Sequence, residues 1–243
     1  SDIFYPLADY LSNLGYLIVG LDYRGHGRTG GQAGGLSGDI ITFKEIFQDI
    51  RKLVDLYKNK YGVPVFFVGY DLGGLISMNV LKLIKDPIIE GLILISPIWK
   101  LEEKMKHILL YPILSIGTLF SKKEPRQPVL EEYLQDTYYD EYKEYSKNNP
   151  LRLKQMSYRF FKAILDLIRK THRIGNKLNY PVLILQGTQD TIVNHYGVHK
   201  LYKKWKHPNK QIRLYENTGH NLLMDKFRHE AYEEIARFLK DLT

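Results

Sequence analysis

Three ionisable residues stand where a nucleophilic site would need them. In VFFVGYDLGGLISM, residues 65–78, a run of β-branched and aromatic residues ends at Gly69-Tyr70-Asp71-Leu72-Gly73-Gly74, and an apolar-periodic segment, Leu75 to Ile84, reads as a helix. Strand, tight glycine turn and helix form the setting of a nucleophile elbow, where G-x-S-x-G presents a serine. Here the central residue is Asp71. Further along, PVLILQGTQDTIV (181–193) sets Asp190 just past one apolar run, and IRLYENTGHNLL (212–223) sets His220 just past another. The order is nucleophile position, acid, histidine. A carboxylate beside a histidine holds the imidazole in one tautomer and stabilises its charged form. Taken singly, Asp190 reads as a turn residue and His220 as a polar loop residue; together, in this order, they read as a site.

The elements that must position these residues alternate in type. Residues 16–22, 64–70, 91–95, 181–187 and 211–215 read as strands, and the first four are continuous apolar runs, as in strands buried on both faces of a parallel sheet. Between them Tyr5 to Leu14, Ile40 to Lys60, Leu72 to Lys85, Tyr196 to Lys206 and Lys226 to Leu242 read as helices; Ile46, Ile50, Leu53, Val54 and Tyr57 recur at helical spacing. The alternation predicts an α/β fold with a doubly wound, mostly parallel sheet. It breaks between Ile98 and Asn179, a helical, tyrosine-rich span with no strand pattern. The expected division is a core of residues 1–97 and 180–243 with a helical cap, 98–179, over the carboxyl edge of the sheet, where ligands bind in open α/β sheets.

Composition narrows the function classes. Hydrophobic residues make up 44% of 243 residues, enough for a substantial core. There is no cysteine, which removes disulfide and thiolate chemistry and fits a reducing, cytoplasmic setting. The longest apolar candidate, HILLYPILSIGTLF (107–120), contains Pro112 and Gly117 and is shorter than the ~20 residues that span a bilayer. The net charge is +8 and the pI near 9.3, but the basic residues are scattered, so nucleic-acid binding is not expected. No metal or organic cofactor is implied: there is no ligand cluster, and Gly25, Gly27, Gly30 and Gly31 lack the G-x-G-x-x-G spacing.

With these residues in view, the chain resembles the monoacylglycerol lipase-like or lysophospholipase-like α/β hydrolases. The resemblance is carried by LADYLSNLGYLIVGLDYRGHGRTGG (7–31), GYDLGG (69–74), GLILISP (91–97), PVLILQGTQDTIV (181–193) and LYENTGHNLL (214–223), with YSKNNPLRL (145–153) similar to the end of that family's cap. It implies Asp190 as triad acid, His220 as base and the Leu72 backbone N–H as an oxyanion donor. His26, Asp22 and Arg24 would shape the turn after a strand. It also implies an ester substrate with an apolar acyl chain, held by 107–120 and the cap's aromatic residues, and transient contact of the cap with a membrane surface.

Two features depart from the family's pattern. Asp71 stands where the family has serine. In the family, moreover, the helix at Tyr5–Leu14 follows a central strand and a His-Gly oxyanion loop, both of which would precede Ser1. That strand would lie between 16–22 and 64–70; without it the sheet would carry a gap of roughly 10 Å, two strand spacings. The leading expectation is a carboxylic ester hydrolase of the lipase/esterase lineage, weakly active or silenced at Asp71. An alternative is an aspartate-nucleophile epoxide hydrolase or haloalkane dehalogenase, since carboxylates attack saturated carbon well. Such enzymes commonly carry tryptophan after the aspartate, where this chain has Leu72, and epoxide hydrolases use cap tyrosines, of which Tyr111, Tyr133, Tyr138, Tyr139, Tyr142, Tyr145 and Tyr158 are available. A third reading is a catalytically silent ligand-binding homologue.

Overall fold

A computed structural model describes residues 2–29, 37–84, 88–103, 105, 126–128, 144, 148–153 and 155–243. Among these, the helices are α1 (Tyr5–Asn13), α2 (Lys44–Tyr61), α3 (Leu72–Leu83), α4 (Tyr158–Ile174), α5 (His195–Lys204) and α6 (Arg228–Lys240). The strands are β1 (Val65–Tyr70), β2 (Ile89–Ile95), β3 (Arg126–Pro128), β4 (Gln155–Ser157), β5 (Val182–Gly187) and β6 (Lys210–Tyr215). Strands β1-β2-β5-β6 form a four-stranded sheet in that order, every pairing parallel, and β3 pairs with β4 in a separate antiparallel ribbon.

The apolar runs are two-sided, as the sequence predicts. In β2, Leu92 and Leu94 face one hydrophobic cluster and Ile93 and Ile95 the other; in β5, Val182 and Ile184 alternate in the same way with Leu183 and Leu185. All eight are 0% exposed. Burying each such side chain contributes about 1.5–3 kcal/mol, so these two strands anchor the molecule. Helices α2, α3, α4 and α5 cover the first face, through Ile46, Met78, Leu167 and Leu201 among others, and α1 and α6 cover the second, through Leu7, Leu11, Tyr232 and Phe238. Local chemistry sets the helix ends. Pro6 opens α1, the side chains of Ser157 and Asn194 accept from the first-turn N–H groups of α4 and α5, and Gly62 closes α2 in the left-handed region at φ 63°.

Two features differ from the sequence reading. Residues 16–22 form no strand among the described residues; the segment is irregular, and Leu17, Ile18, Val19 and Leu21 are 57, 38, 41 and 37% exposed. A strand exists only through its ladder, and across from this segment lies a cavity of about 950 Å³ whose other wall is β1. Second, α4 falls within 98–179 but lies alongside α3, with Phe160, Phe161, Ile164 and Leu167 buried in the core cluster. That part of the span is a core layer, not a cover over the edge. The segment 107–120 and the tyrosines at 111, 133, 138, 139, 142 and 145 lie outside the described residues.

Candidate active site

Four parallel strands deliver their following loops to one edge. Asp71 follows β1, Ser96 follows β2, Asp190 follows β5 and His220 follows β6. The elbow itself is strained: Asp71 has φ 53° and ψ −120°, outside the regions a non-glycine residue ordinarily occupies, at a cost of about 1–3 kcal/mol. Its neighbours hold it there. The Asp71 N–H donates to the Ile95 carbonyl at 3.0 Å, and the Asp71 carbonyl accepts from Gly74 N–H at 3.1 Å and Ile98 N–H at 3.4 Å. Close packing of strand on helix demands glycine at position 69, where a Cβ would meet the Gly73 carbonyl oxygen at 2.6 Å and the Gly74 Cα at 2.7 Å.

His220 lies between two carboxylates. Its Nδ1 donates to Asp190 Oδ2 at 2.9 Å and its Nε2 makes an ion-pair contact with Asp71 Oδ1 at 3.2 Å. The imidazole side chain is 1% exposed, Asp190 0% and Asp71 16%, so only Asp71 reaches open space. Asp190 is fully engaged: Oδ1 accepts from the N–H groups of Ile192 and Val193 at 2.9 and 2.8 Å, and Oδ2 from the Gln186 amide at 2.7 Å. Burial opposes ionisation of Asp190, but attraction to His220 and these hydrogen bonds outweigh it and hold the carboxyl below its ordinary range. Burial likewise opposes charging His220. The facing Asp190 and Asp71 overcome it and raise the imidazole well above its ordinary value.

Sequence reasoning identified Asp71, Asp190 and His220 and missed the groups that hold them. Tyr70, next to Asp71, donates its hydroxyl to the Asn221 side-chain oxygen, and its ring centroid lies 5.2 Å from that of His220. Ser96 donates to the His220 carbonyl at 2.8 Å. Gln186 was the one of these with a signal, as the polar residue ending an otherwise apolar strand. Leu72 begins α3, so its N–H has no acceptor in a preceding turn of the helix. Asp22 and Arg24 serve the turn: Asp22 Oδ2 accepts from Arg28 N–H at 3.0 Å, and Arg24 forks onto Asp49 at 2.5 and 2.9 Å. His26 packs edge-on against Phe160 in the same turn.

Asp71 and Leu72 open onto the 950 Å³ cavity, whose walls include Leu21, Tyr23, Phe67 and Leu153. Burial, and then the Asp71 carboxylate, push the Tyr23 phenol up to about 12. Among the described residues no group of three or more His, Cys, Asp or Glu has the arrangement of a metal site. No helix of the described residues is long and apolar enough to cross a membrane.

Comparison with known proteins places the chain and its fold. A family profile described as Serine aminopeptidase, S33, a hydrolase family, matches residues 1–227. A monoglyceride lipase homolog of monkeypox virus is 29% identical over 233 residues, 95% of this chain and 79% of its own. Human monoglyceride lipase is 28% identical over 252 residues, 98% of this chain and 77% of its own. Among solved structures, Paleococcus ferrophilus monoacylglycerol lipase superposes with a TM-score of 0.83 at 21% identity, covering 100% of this chain and 90% of that one. A soluble variant of Saccharomyces cerevisiae monoglyceride lipase in complex with a substrate analog superposes with a TM-score of 0.84 at 23% identity, covering 100% and 83%. At these identities the superpositions speak to the fold, and the family match carries the assignment. The chain belongs to the serine aminopeptidase S33 family and is a monoacylglycerol lipase-like α/β-hydrolase.

Proposed function

We propose that this hydrolase of the monoglyceride lipase/esterase kind acts on carboxylic esters with an apolar acyl chain, monoacylglycerols or lysophospholipids, at the elbow holding Asp71. The observation that carries the reading is His220, aligned by Asp190 and facing Asp71 at the elbow. In this reading the ester carbon sits over residue 71, and the Leu72 N–H donates to the developing oxyanion. Transient contact of the cap with a lipid surface is part of the same proposal.

Asp71 limits the chemistry. Attack of its carboxylate on an ester gives a strained mixed anhydride and must expel an alkoxide, so ester turnover by the chain with Asp71 is slow. With Asp190, the Asp71 carboxylate also favours the protonated imidazole, the form that cannot act as the base. Replacing Asp71 by serine removes both obstacles at once. A fluorophosphonate probe, which reacts with an activated serine, should ignore the unmodified chain and label the Asp71→Ser variant, and labelling should disappear when His220→Ala is added. Labelling that persists without His220 would contradict the triad.

The aspartate-nucleophile reading has one observation in its favour. Attack of Asp71 on an alkyl halide, expelling halide, or on an epoxide, whose opened oxygen takes a proton from solvent, would neutralise one of the two carboxylates that raise His220. The imidazole would then be freed to activate water against the new ester, regenerating Asp71. Single-turnover reaction in heavy-oxygen water would place label in the Asp71 side chain. Leu72, in the position of the usual halide-binding tryptophan, weighs against this reading.

A further inference from the structure

Away from the elbow, a second cleft of about 230 Å³ lies between α4 and α5, lined by Trp99, Lys100, His172, Gly197, Lys200 and Lys204. We propose that this cleft is a binding site for a phosphate monoester, independent of ester hydrolysis. The base is built from two buried residues, with the exposed His172 packed beside them. Trp99 is 9% exposed and Gly197 is buried. The His172 ring lies 4.3 Å from the Trp99 ring, and its Nε2 donates to the Trp99 carbonyl, since a carbonyl can only accept.

Lys100 is held rather than free-swinging. Its carbonyl accepts from Asn194 N–H at 2.7 Å, and the next residue, Leu101, bridges to Val193. Its aliphatic stem lies flat across Gly197: a Cβ there would stand 2.5 Å from Lys100 Cβ and 3.0 Å from its Cδ. The missing side chain at 197 is what lets a third cation reach the face already carrying Lys200 and Lys204.

The charge arrangement calls for an anion. Lys200 and Lys204 lie one turn apart on α5, where like charges repel, and Lys100 adds to the repulsion. None of the three ammonium groups has an ion pair or hydrogen bond among the described residues. The negative end of the α5 dipole accounts for Lys204 in the last turn but not for Lys200 in mid-helix or Lys100 on another segment. A phosphate monoester, with close to two negative charges and three acceptor oxygens, matches three lysines lining one cleft better than a carboxylate does. The same chemistry is offered by a small soluble phosphate ester and by the headgroup of phosphatidic acid.

The test is a titration of the 243-residue chain with sn-glycerol 3-phosphate by calorimetry, at ionic strength held constant with chloride. A parallel arm measures flotation with phosphatidylcholine vesicles with and without phosphatidic acid. We expect saturable one-to-one binding of glycerol 3-phosphate, weakened at least about tenfold in Lys200→Gln/Lys204→Gln and in Lys100→Gln, because each lost charged contact is worth about a tenfold change. Flotation that requires phosphatidic acid and is lost in the same variants would identify a lipid headgroup as the source. All three lysines are exposed, so the variants should keep the melting temperature of the parent chain. No saturable binding in either arm, or binding indifferent to the lysine substitutions, would overturn the proposal.

Discussion

His220 lies between two carboxylates that raise its pKa, and that sets the pH behaviour of the site. Its folded pKa is raised, so the stability it contributes is full below the unfolded value near 6.5 and is lost as pH rises through the folded value. Asp190 behaves oppositely: its contribution is present above the ordinary 3.8 and is lost as pH falls through its depressed folded value. Asp71→Asn removes one carboxylate facing the imidazole while supplying a residue that tolerates the positive φ at that position. The His220 titration, followed by NMR of the ring, should therefore move down in pH, and the alkaline loss of thermal stability should begin at lower pH. A His220 titration identical in the two proteins would mean that the 3.2 Å contact carries no electrostatic weight.

At the scale of elements, the elbow depends on how tightly β1 and α3 approach. Gly69→Ala would drive a Cβ into backbone atoms of Gly73 and Gly74, which have no rotamer to give way. A destabilisation of about 1–3 kcal/mol is expected in urea unfolding, the usual range for overpacking. Gly62→Ala tests the alternative that any glycine loss costs this much: its Cβ meets nothing within 4 Å, so only the strain of its φ of 63° remains. That should cost about 1 kcal/mol, as for an alanine forced into the left-handed region. Equal losses at the two positions would deny the close approach of strand and helix.

For the molecule as a whole, the legible parts were those encoded locally. Apolar runs such as Leu92–Ile95 and Val182–Leu185 announce burial on both faces, and the turns that end them announce Asp71, Asp190 and His220. Residues 16–22 carry the same apolar pattern and form no strand among the described residues, because strand formation depends on a neighbour elsewhere in the chain. The supporting polar contacts were hidden for a similar reason. Tyr70 and Asn221 are 151 positions apart, and Ser96 meets His220 across 124. The α4 segment read as part of the cap because its helical pattern is the same whether it covers the sheet edge or α3. Only the buried faces of Phe160 and Leu167 distinguish the two.

The most direct test of the account is hydrolysis of 1-monooleoylglycerol by the Asp71→Ser variant, measured as glycerol release at saturating substrate. The account predicts turnover well above that of the unmodified chain. It also predicts a fall of about 10⁴-fold when Asp190→Asn is added, the loss expected when a triad carboxylate no longer fixes the histidine tautomer. An Asp71→Ser variant that folds as the parent does and releases no glycerol, or one whose rate ignores Asp190→Asn, would contradict it.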